Sequence, residues 1–544
     1  VERINFNSKT LVMIGEDRET TIIDGNDSGS VVTIGNNSVL SNFTVQNGTS
    51  VGTTYGWGSG IFAEGPYMLD NLIVRNNTNN SEGKGAGIFL NGSSPIIKNS
   101  VIINNIGDGI VCHGSSPVIY NTTIANNSRA GIYLRLQGMN TDFHPVIFNT
   151  ILYGNLDNKQ VQFSTVDLSV SGISLDVSYS LVQEGQDSIA TALNDTLNWG
   201  TGNVDMNPMF ADTASGDFRL LALSPAINAG HPDSTDADGS RSDMGGYPYL
   251  NSYVGPVWYV DSTNGSNITG TGADNNKFSS IQAGINFSSD GDSISVWPGT
   301  YYENINFRGK NIKVVGYQGT TGSYPIIDGG GDGFVVTFPE VSGTPNYRLE
   351  GFTIENGYAQ NAGGWEVAGG GGIMAGSGNI YLERLLIKDN VGSFASALWS
   401  SNSTITMNKL TIINNSNGAS NVNSGTIYLN AGSDVSIVNC LITDNEFRPV
   451  FAYSANDANT VSVTYSLLDG GQDNIVTNDN LTINWGSGNI DIDPMFVDTA
   501  NGDYSLQRIS HLIDSGHPDS TDLDGTRADI GAYYFDQSGL PGRV

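Results

Sequence analysis

Charge is scarce in this chain. Of its 544 residues only 14% are Asp, Glu, Lys or Arg, against about 25% in ordinary soluble domains. Basic residues are scarcer still: 23 Lys and Arg stand against 54 Asp and Glu, for a net charge of −31. Nucleic-acid binding needs cations to neutralise phosphate, so this balance argues against it and against anionic membrane surfaces. It favours a solvated exterior and divalent cations. Cysteine is limited to Cys112 and Cys440. Two are too few for a disulfide framework, and each reads as a small buried apolar residue. No apolar run reaches the roughly 18 residues a membrane-spanning helix needs. No signal-peptide pattern is visible, and Val1 opens in mid-repeat, so the chain reads as a processed or trimmed piece of something longer.

Gly and Asn are abundant, at 69 and 60 residues. The Asn residues recur in a refrain: Asn, two residues, an aliphatic residue, one more, then Asn. It runs through Asn42-Phe-Thr-Val-Gln-Asn47, Asn71–Asn76, Asn99–Asn104 and Asn121–Asn126, and loosely through Asn149–Gly154. The copies lie 22 to 29 residues apart. Units that short cannot bury a core alone, so they must stack as a solenoid. Between refrains come a Gly-Ile pair (Gly60, Gly87, Gly109, Gly131) and a Pro followed by apolar residues (Pro95, Pro117, Pro145). That grammar predicts an all-β fold with three short strands per coil. Ile61, Ile88, Ile110 and Ile132 should form one interior stack, and Val45, Val74, Ile102, Ile124 and Leu152 another. Asn at the corners satisfies turn backbone groups and tolerates the left-handed conformation.

A larger repeat lies above the coils. Trp199–Phe210 returns as Trp485–Phe496, and His231-Pro-Asp-Ser-Thr-Asp returns as His517-Pro-Asp-Ser-Thr-Asp, both 286 residues on. Near the starts, Glu2-Arg-Ile-Asn-Phe matches Glu303-Asn-Ile-Asn-Phe. Two tandem solenoid domains are therefore expected: 1–250, a linker at 251–256, 257–536, and a tail at 537–544. The second opens with a segment the first lacks. Phe278–Phe287 reads as a short, Ser-capped amphipathic helix, and 257–290 as the cap of the second solenoid.

The stretch from Tyr259-Val-Asp to Gly299-Thr-Tyr-Tyr-Glu-Asn-Ile resembles the start of a secreted right-handed parallel β-helix of the pectate-lyase-like type. Asp493–Leu506 and Asp522–Tyr533 resemble the tails of large bacterial cell-surface β-helix proteins. The resemblance implies a right-handed parallel β-helix, secretion to the cell surface or exterior, and an anchoring segment downstream. It does not fix an activity, since one fold hosts lyases, hydrolases, esterases and adhesins. Gly299–Glu303 also resembles an early pectin-esterase motif, but that family's later Asp motifs are missing.

The first candidate site is an acidic loop in each copy: Asp233, Asp236, Asp238 and Asp243, matched by Asp519, Asp522, Asp524 and Asp529. Asp-x-Asp-Gly gathers carboxylates on one side of a tight turn, as a calcium loop requires. The alternative is structural pairing with Arg241 or Arg527. A lyase would also need a Lys or Arg base, and Arg75, Lys98, Arg129, Arg135, Arg384, Lys388 and Lys409 are available. Aromatic residues in or near Gly-rich insertions could line a sugar-binding face: Tyr55, Trp57 and Tyr67, then Tyr358, Trp365, Phe394 and Trp399. Asn42, Asn76, Asn121, Asn126 and Asn414 stand in Asn-x-Ser/Thr sequons and are candidate glycosylation sites.

Two functions follow. The first is a non-catalytic extracellular surface or filament protein that binds glycans and assembles head to tail through an open coil at Val1. The second is a calcium-dependent polysaccharide lyase or a related carbohydrate-active enzyme. Tandem copies, few bases and absent catalytic signatures favour the first.

Overall fold

In a computed structural model the chain forms two compact units, Val1–Ser252 and Tyr253–Val544. The structure describes residues 1–539 apart from 36, 51–57, 66, 80, 82–83, 93, 136–142, 157–158, 164–171, 192–194, 320–321, 360–370, 419–423, 454–457 and 478–479.

Unit 1 is a parallel β-helix. Each coil contributes one strand to each of three sheets, of eight, eight and seven strands. Ile61, Ile88, Ile110 and Ile132 pair in register in the first sheet. Val45, Val74, Ile102, Ile124 and Leu152 do so in the third. All of these side chains are fully buried. The second sheet adds Leu40, Leu69, Ile97, Ile119 and Ile147. Cys112 and Cys440 are free and buried.

Asparagine builds two ladders. Asn42, Asn71, Asn99, Asn121 and Asn149 hold the corner with φ between 46° and 64°. Their side chains link coil to coil, Asn71 to Asn42 at 2.9 Å, Asn121 to Asn99 at 3.3 Å and Asn149 to Asn121 at 3.0 Å. The second ladder lies one residue past the refrain and is buried. Asn77 donates to Asn105, Asn105 to Asn127 and Asn127 to Asn155, at 2.9–3.0 Å. Each rung also accepts the backbone amide of the preceding rung's residue. A buried turn therefore leaves none of these amides unpaired. Unit 2 repeats this with Asn390, Asn415 and Asn445.

The segment after the last coil of unit 1 folds back along the outside of the third sheet. Its antiparallel hairpin, Phe210–Asp212 with Asp217–Leu220, places Phe210 and Phe218 with Tyr247 over Ile73, Val101, Ile103 and Ala125. The Arg18 guanidinium, far back in the first coil, donates to the Gly246 carbonyl at 2.9 Å. A sheet covered on both faces needs apolar residues at successive positions, which is why Val101-Ile102-Ile103 is unbroken. In unit 2, Leu512 and Ile530 pack on Leu441 and Leu467 in the same way.

Unit 2 has the same parallel coils, with longer strands. Asn346–Glu355 and Gly378–Lys388 run through the corner without a break. Gly351 and Arg384 occupy the corner in the left-handed conformation, which explains why the Asn refrain is looser here. The helix expected from the sequence, α1, spans Ile281–Phe287 and is N-capped by Ser280. It is not amphipathic as expected: all seven residues are buried. Its polar ends are matched instead. Glu303 accepts the amides of Ile281 and Gln282 at 2.7 and 3.0 Å. Lys310 donates to the carbonyls of Ile285, Asn286 and Ser288 at 2.7–2.8 Å. Acceptor oxygens at the first turn and a cation at the last also suit the helix dipole.

Candidate functional site

The acidic loops use their carboxylates on backbone amides. In unit 1, Asp236 accepts the Asp243 amide at 2.8 Å. Asp238 accepts Ser240 and Asn251 at 3.0 and 2.7 Å. Asp243 accepts Asn228 and Tyr249 at 2.7 and 2.6 Å. Unit 2 repeats the wiring: Asp522 takes Asp529, Asp524 takes Thr526 and Gln537, and Asp529 takes Asp514 and Phe535. Burial pushes the Asp236 and Asp529 carboxyls up to about 6. Asp233 and Asp519 stay outside this network; their amides donate to His231 and His517. Among the described residues, no three His, Cys, Asp or Glu side chains converge as a metal site would.

The expected pairing with arginine is corrected. Arg241 and Arg527 donate to the Gly230 and Gly516 carbonyls, each at 2.6 Å, and not to the Asp residues. Both also approach the ring of a tyrosine, Tyr179 or Tyr465. His231 and His517 meet the same two rings edge-on. The loop thus docks the returning segment onto the coils.

Most of the candidate bases are tied down. Arg75 donates to Gln46, Lys98 lies 3.4 Å from Asp70, and Arg129 lies 3.6 Å from Asp108. Lys409 pairs with Asp522 at 2.7 Å. Arg348 and Arg384 each bridge Glu350 and Glu383. Burial pushes the Glu350 carboxyl up, but the Arg384 charge and its other cationic neighbours outweigh this and hold it below the usual range.

The aromatic candidates separate. Trp57, Tyr55 and Trp365 lie outside the described residues. Tyr67 is buried at 6% exposure, which removes it as a surface platform. Trp399 and Phe394 pack with Tyr428 and Phe451 on another sheet. Tyr358, 41% exposed, lines an open groove of about 440 Å³. Tyr302, Asp328, Asn356, Asp389 and Val391 complete its lining. Tyr302 pairs in register with Asp328, and Tyr358 with Val391. Asn356 donates to Asp328 at 3.0 Å. Beside the groove, Lys388 lies between Glu355 at 2.5 Å and Asp389 at 2.6 Å. Burial lowers the Lys388 ammonium, but hydrogen bonds to Asp389 and Glu355 outweigh it and raise it above its ordinary value. Tyr302 lies within Gly299–Glu303, whose resemblance to an esterase motif did not single it out as a groove residue.

The sequons differ in geometry. The Asn42 and Asn121 amide nitrogens donate within the protein, to Gly15 and Asn99. Asn414 donates to the Tyr504 hydroxyl. Asn76 is exposed, and Asn126 is half-buried.

Neither a family model nor a curated protein matches this chain. Among solved structures it is similar to a pectin methylesterase from Aspergillus niger, at 14% identity over 47% of this chain and 91% of that one, with a TM-score of 0.24. It is also similar to a PL6 family alginate lyase mutant, at 9% identity over 89% and 95%, with a TM-score of 0.18. At those scores neither similarity bears on chemistry, and the β-helix assignment rests on the strand pairing above. No described helix is long and apolar enough to cross a membrane.

Proposed function

We propose that this chain is a non-catalytic, extracellular or cell-surface β-helix protein that binds a neutral glycan in the groove between Tyr302 and Tyr358. Two exposed tyrosine rings offer stacking surface to pyranose rings, and Asp328, Asn356 and Asp389 offer acceptors and a donor to their hydroxyls. The observation that carries the reading is the state of Lys388. It is the candidate base beside the groove, and its two carboxylate partners keep it protonated. A protonated ammonium cannot abstract the sugar proton, as a lyase requires. Asp328, Asp332, Glu355 and Asp389 also outnumber Lys388 in this region, which repels a polyuronate. Right-handed coiling and the capping role of α1 belong to the same proposal, in which the acidic loops use their carboxylates to brace the returning segment rather than to hold calcium.

The test is incubation with pectate, alginate and chondroitin in the presence of calcium, followed by ultraviolet absorbance of unsaturated product. No product is expected. Product that disappears in Lys388→Ala would establish the lyase reading instead.

A further inference from the structure

The groove of unit 2 has a counterpart in unit 1. Ile326-Ile327-Asp328-Gly329 repeats Ile22-Ile23-Asp24-Gly25. Equivalent hydrogen bonds, Glu2 amide to Asp24 carbonyl and Glu303 amide to Asp328 carbonyl, set both strands in the same frame. In unit 2 Tyr358 bridges Gly333 in antiparallel sense and pairs with Val391 in parallel sense. In unit 1 Thr49 bridges Gly29 and Thr78 in the same two senses. Asn356 donates to Asp328, and Asn47 donates to Asp24 at 2.8 Å. Arg75 stands in the row where unit 2 has Lys388, with Gln46 in place of Glu355.

We propose that unit 1 carries a second oligosaccharide site, formed by Asp24, Asn47, Thr49 and Thr78. This rests on the glycan reading of the unit 2 groove. The backbone frame, the carboxylate and the asparagine donor are shared. The stacking surface is not, since Thr49 replaces Tyr358. The charge differs as well. Around the unit 2 groove, Asp328, Asp332, Glu355 and Asp389 face Lys388, a net of −3 from four acids and one base. Around the unit 1 row, Asp24 and Asp27 face Arg75 and Arg3, which lies against Gly29, a net of zero from two acids and two bases. Gln46 and Asn47 donate to Asp24 at 2.9 and 2.8 Å. The Gln46 bond and the Asn26 amide hold the Asp24 carboxyl below its ordinary range, so it stays an acceptor for sugar hydroxyls. The unit 1 site therefore binds neutral sugar more weakly than unit 2 and tolerates anionic sugar better.

The experiment is isothermal titration of the full chain with N-acetylchitohexaose, cellohexaose, mannohexaose and hexagalacturonate. At least one neutral hexasaccharide is expected to bind at two sites per chain, differing about tenfold or more in Kd. Tyr358→Ala should remove the tighter site alone, and Asp24→Asn the weaker site alone, with melting temperatures confirming that both variants fold. Hexagalacturonate should bind, if at one site only, at the site lost in Asp24→Asn. A single site abolished by Tyr358→Ala would overturn the second site while leaving the groove reading intact. A second site untouched by Asp24→Asn would overturn its placement here. No heat with any of the four would remove both the groove reading and this inference.

Discussion

The His231 amide donates to the Asn149 side-chain oxygen at 2.6 Å, across 82 residues of chain. In unit 2 the His517 amide donates to Asn439 at the same distance. Asn149 is thus both the last rung of the corner ladder and the anchor of the returning segment. Asn149→Ala leaves that amide without its acceptor and removes a rung. It should cost about 2 kcal/mol and loosen the segment before the coils. Hydrogen exchange would then quicken at residues 226–245 while the amides of Ile110 and Ile124 stay protected. Uniform quickening along the whole unit would contradict this anchoring role.

The two ladders should differ in worth. Asn105 is buried, and its side chain accepts the Asn77 amide and donates to the Val74 carbonyl. Asn105→Ala strands several buried polar groups at once and should cost roughly 3–4 kcal/mol. Asn121→Ala on the half-exposed corner should cost about 1 kcal/mol, since water can replace the lost partners. Urea midpoints of the two variants compare them, and equal losses would refute the distinction.

These ladders show how far the sequence reaches. The refrain repeats within 30 residues or so, so the stacks at Ile61–Ile132 and Val45–Leu152 could be assigned from spacing alone. The buried rung is one residue past the refrain, and only the doublets Asn76-Asn77, Asn104-Asn105 and Asn126-Asn127, with Asn414-Asn415 in unit 2, hinted at it. The returning segment was not legible, because Arg18 and Gly246 meet across 228 residues. Its one trace is the unbroken Val101-Ile102-Ile103, where an alternating strand was expected. The Asp loops were visible as acidic, but their amide partners Asn228, Tyr249 and Asn251 carry no side-chain signature of that role. The repeated Ile-Ile-Asp-Gly was present to be seen and marks the groove better than Trp399 does.

Glu303 makes the stability of unit 2 depend on pH. Burial raises its carboxyl to about 7, against the two α1 amides that favour the charged form. Between about pH 4.5 and 7 the folded state therefore holds a proton that the unfolded chain, with its carboxyl at the ordinary 4.5, releases. That contribution is fully present below about 4.5 and is lost as pH rises towards 7. With the side chain half-buried, the loss should be roughly 2 kcal/mol. Thermal melts from pH 4.5 to 7.5 should show this slope in the wild type and a flatter one in Glu303→Gln. An unchanged slope in the variant would assign the proton elsewhere.

Calcium at the acidic loops has a direct readout. The oxygens of Asp238 and Asp243 already accept amides, which competes with a cation. Millimolar calcium should leave the melting temperature unchanged relative to chelator. A rise that Asp238→Asn abolishes would instead show binding to the native state, whose stabilisation grows as the logarithm of calcium over Kd.

The most direct measurement of the central claim is affinity electrophoresis of the native chain in gels containing neutral polysaccharides, with Tyr358→Ala alongside and the recovered polysaccharide sized afterwards. Retardation by at least one neutral polysaccharide, reduced in the variant, with polymer length unchanged, is the expected result. Equal mobility of wild type and variant in every gel, or shortened polymer, would contradict a non-catalytic glycan groove at Tyr302 and Tyr358.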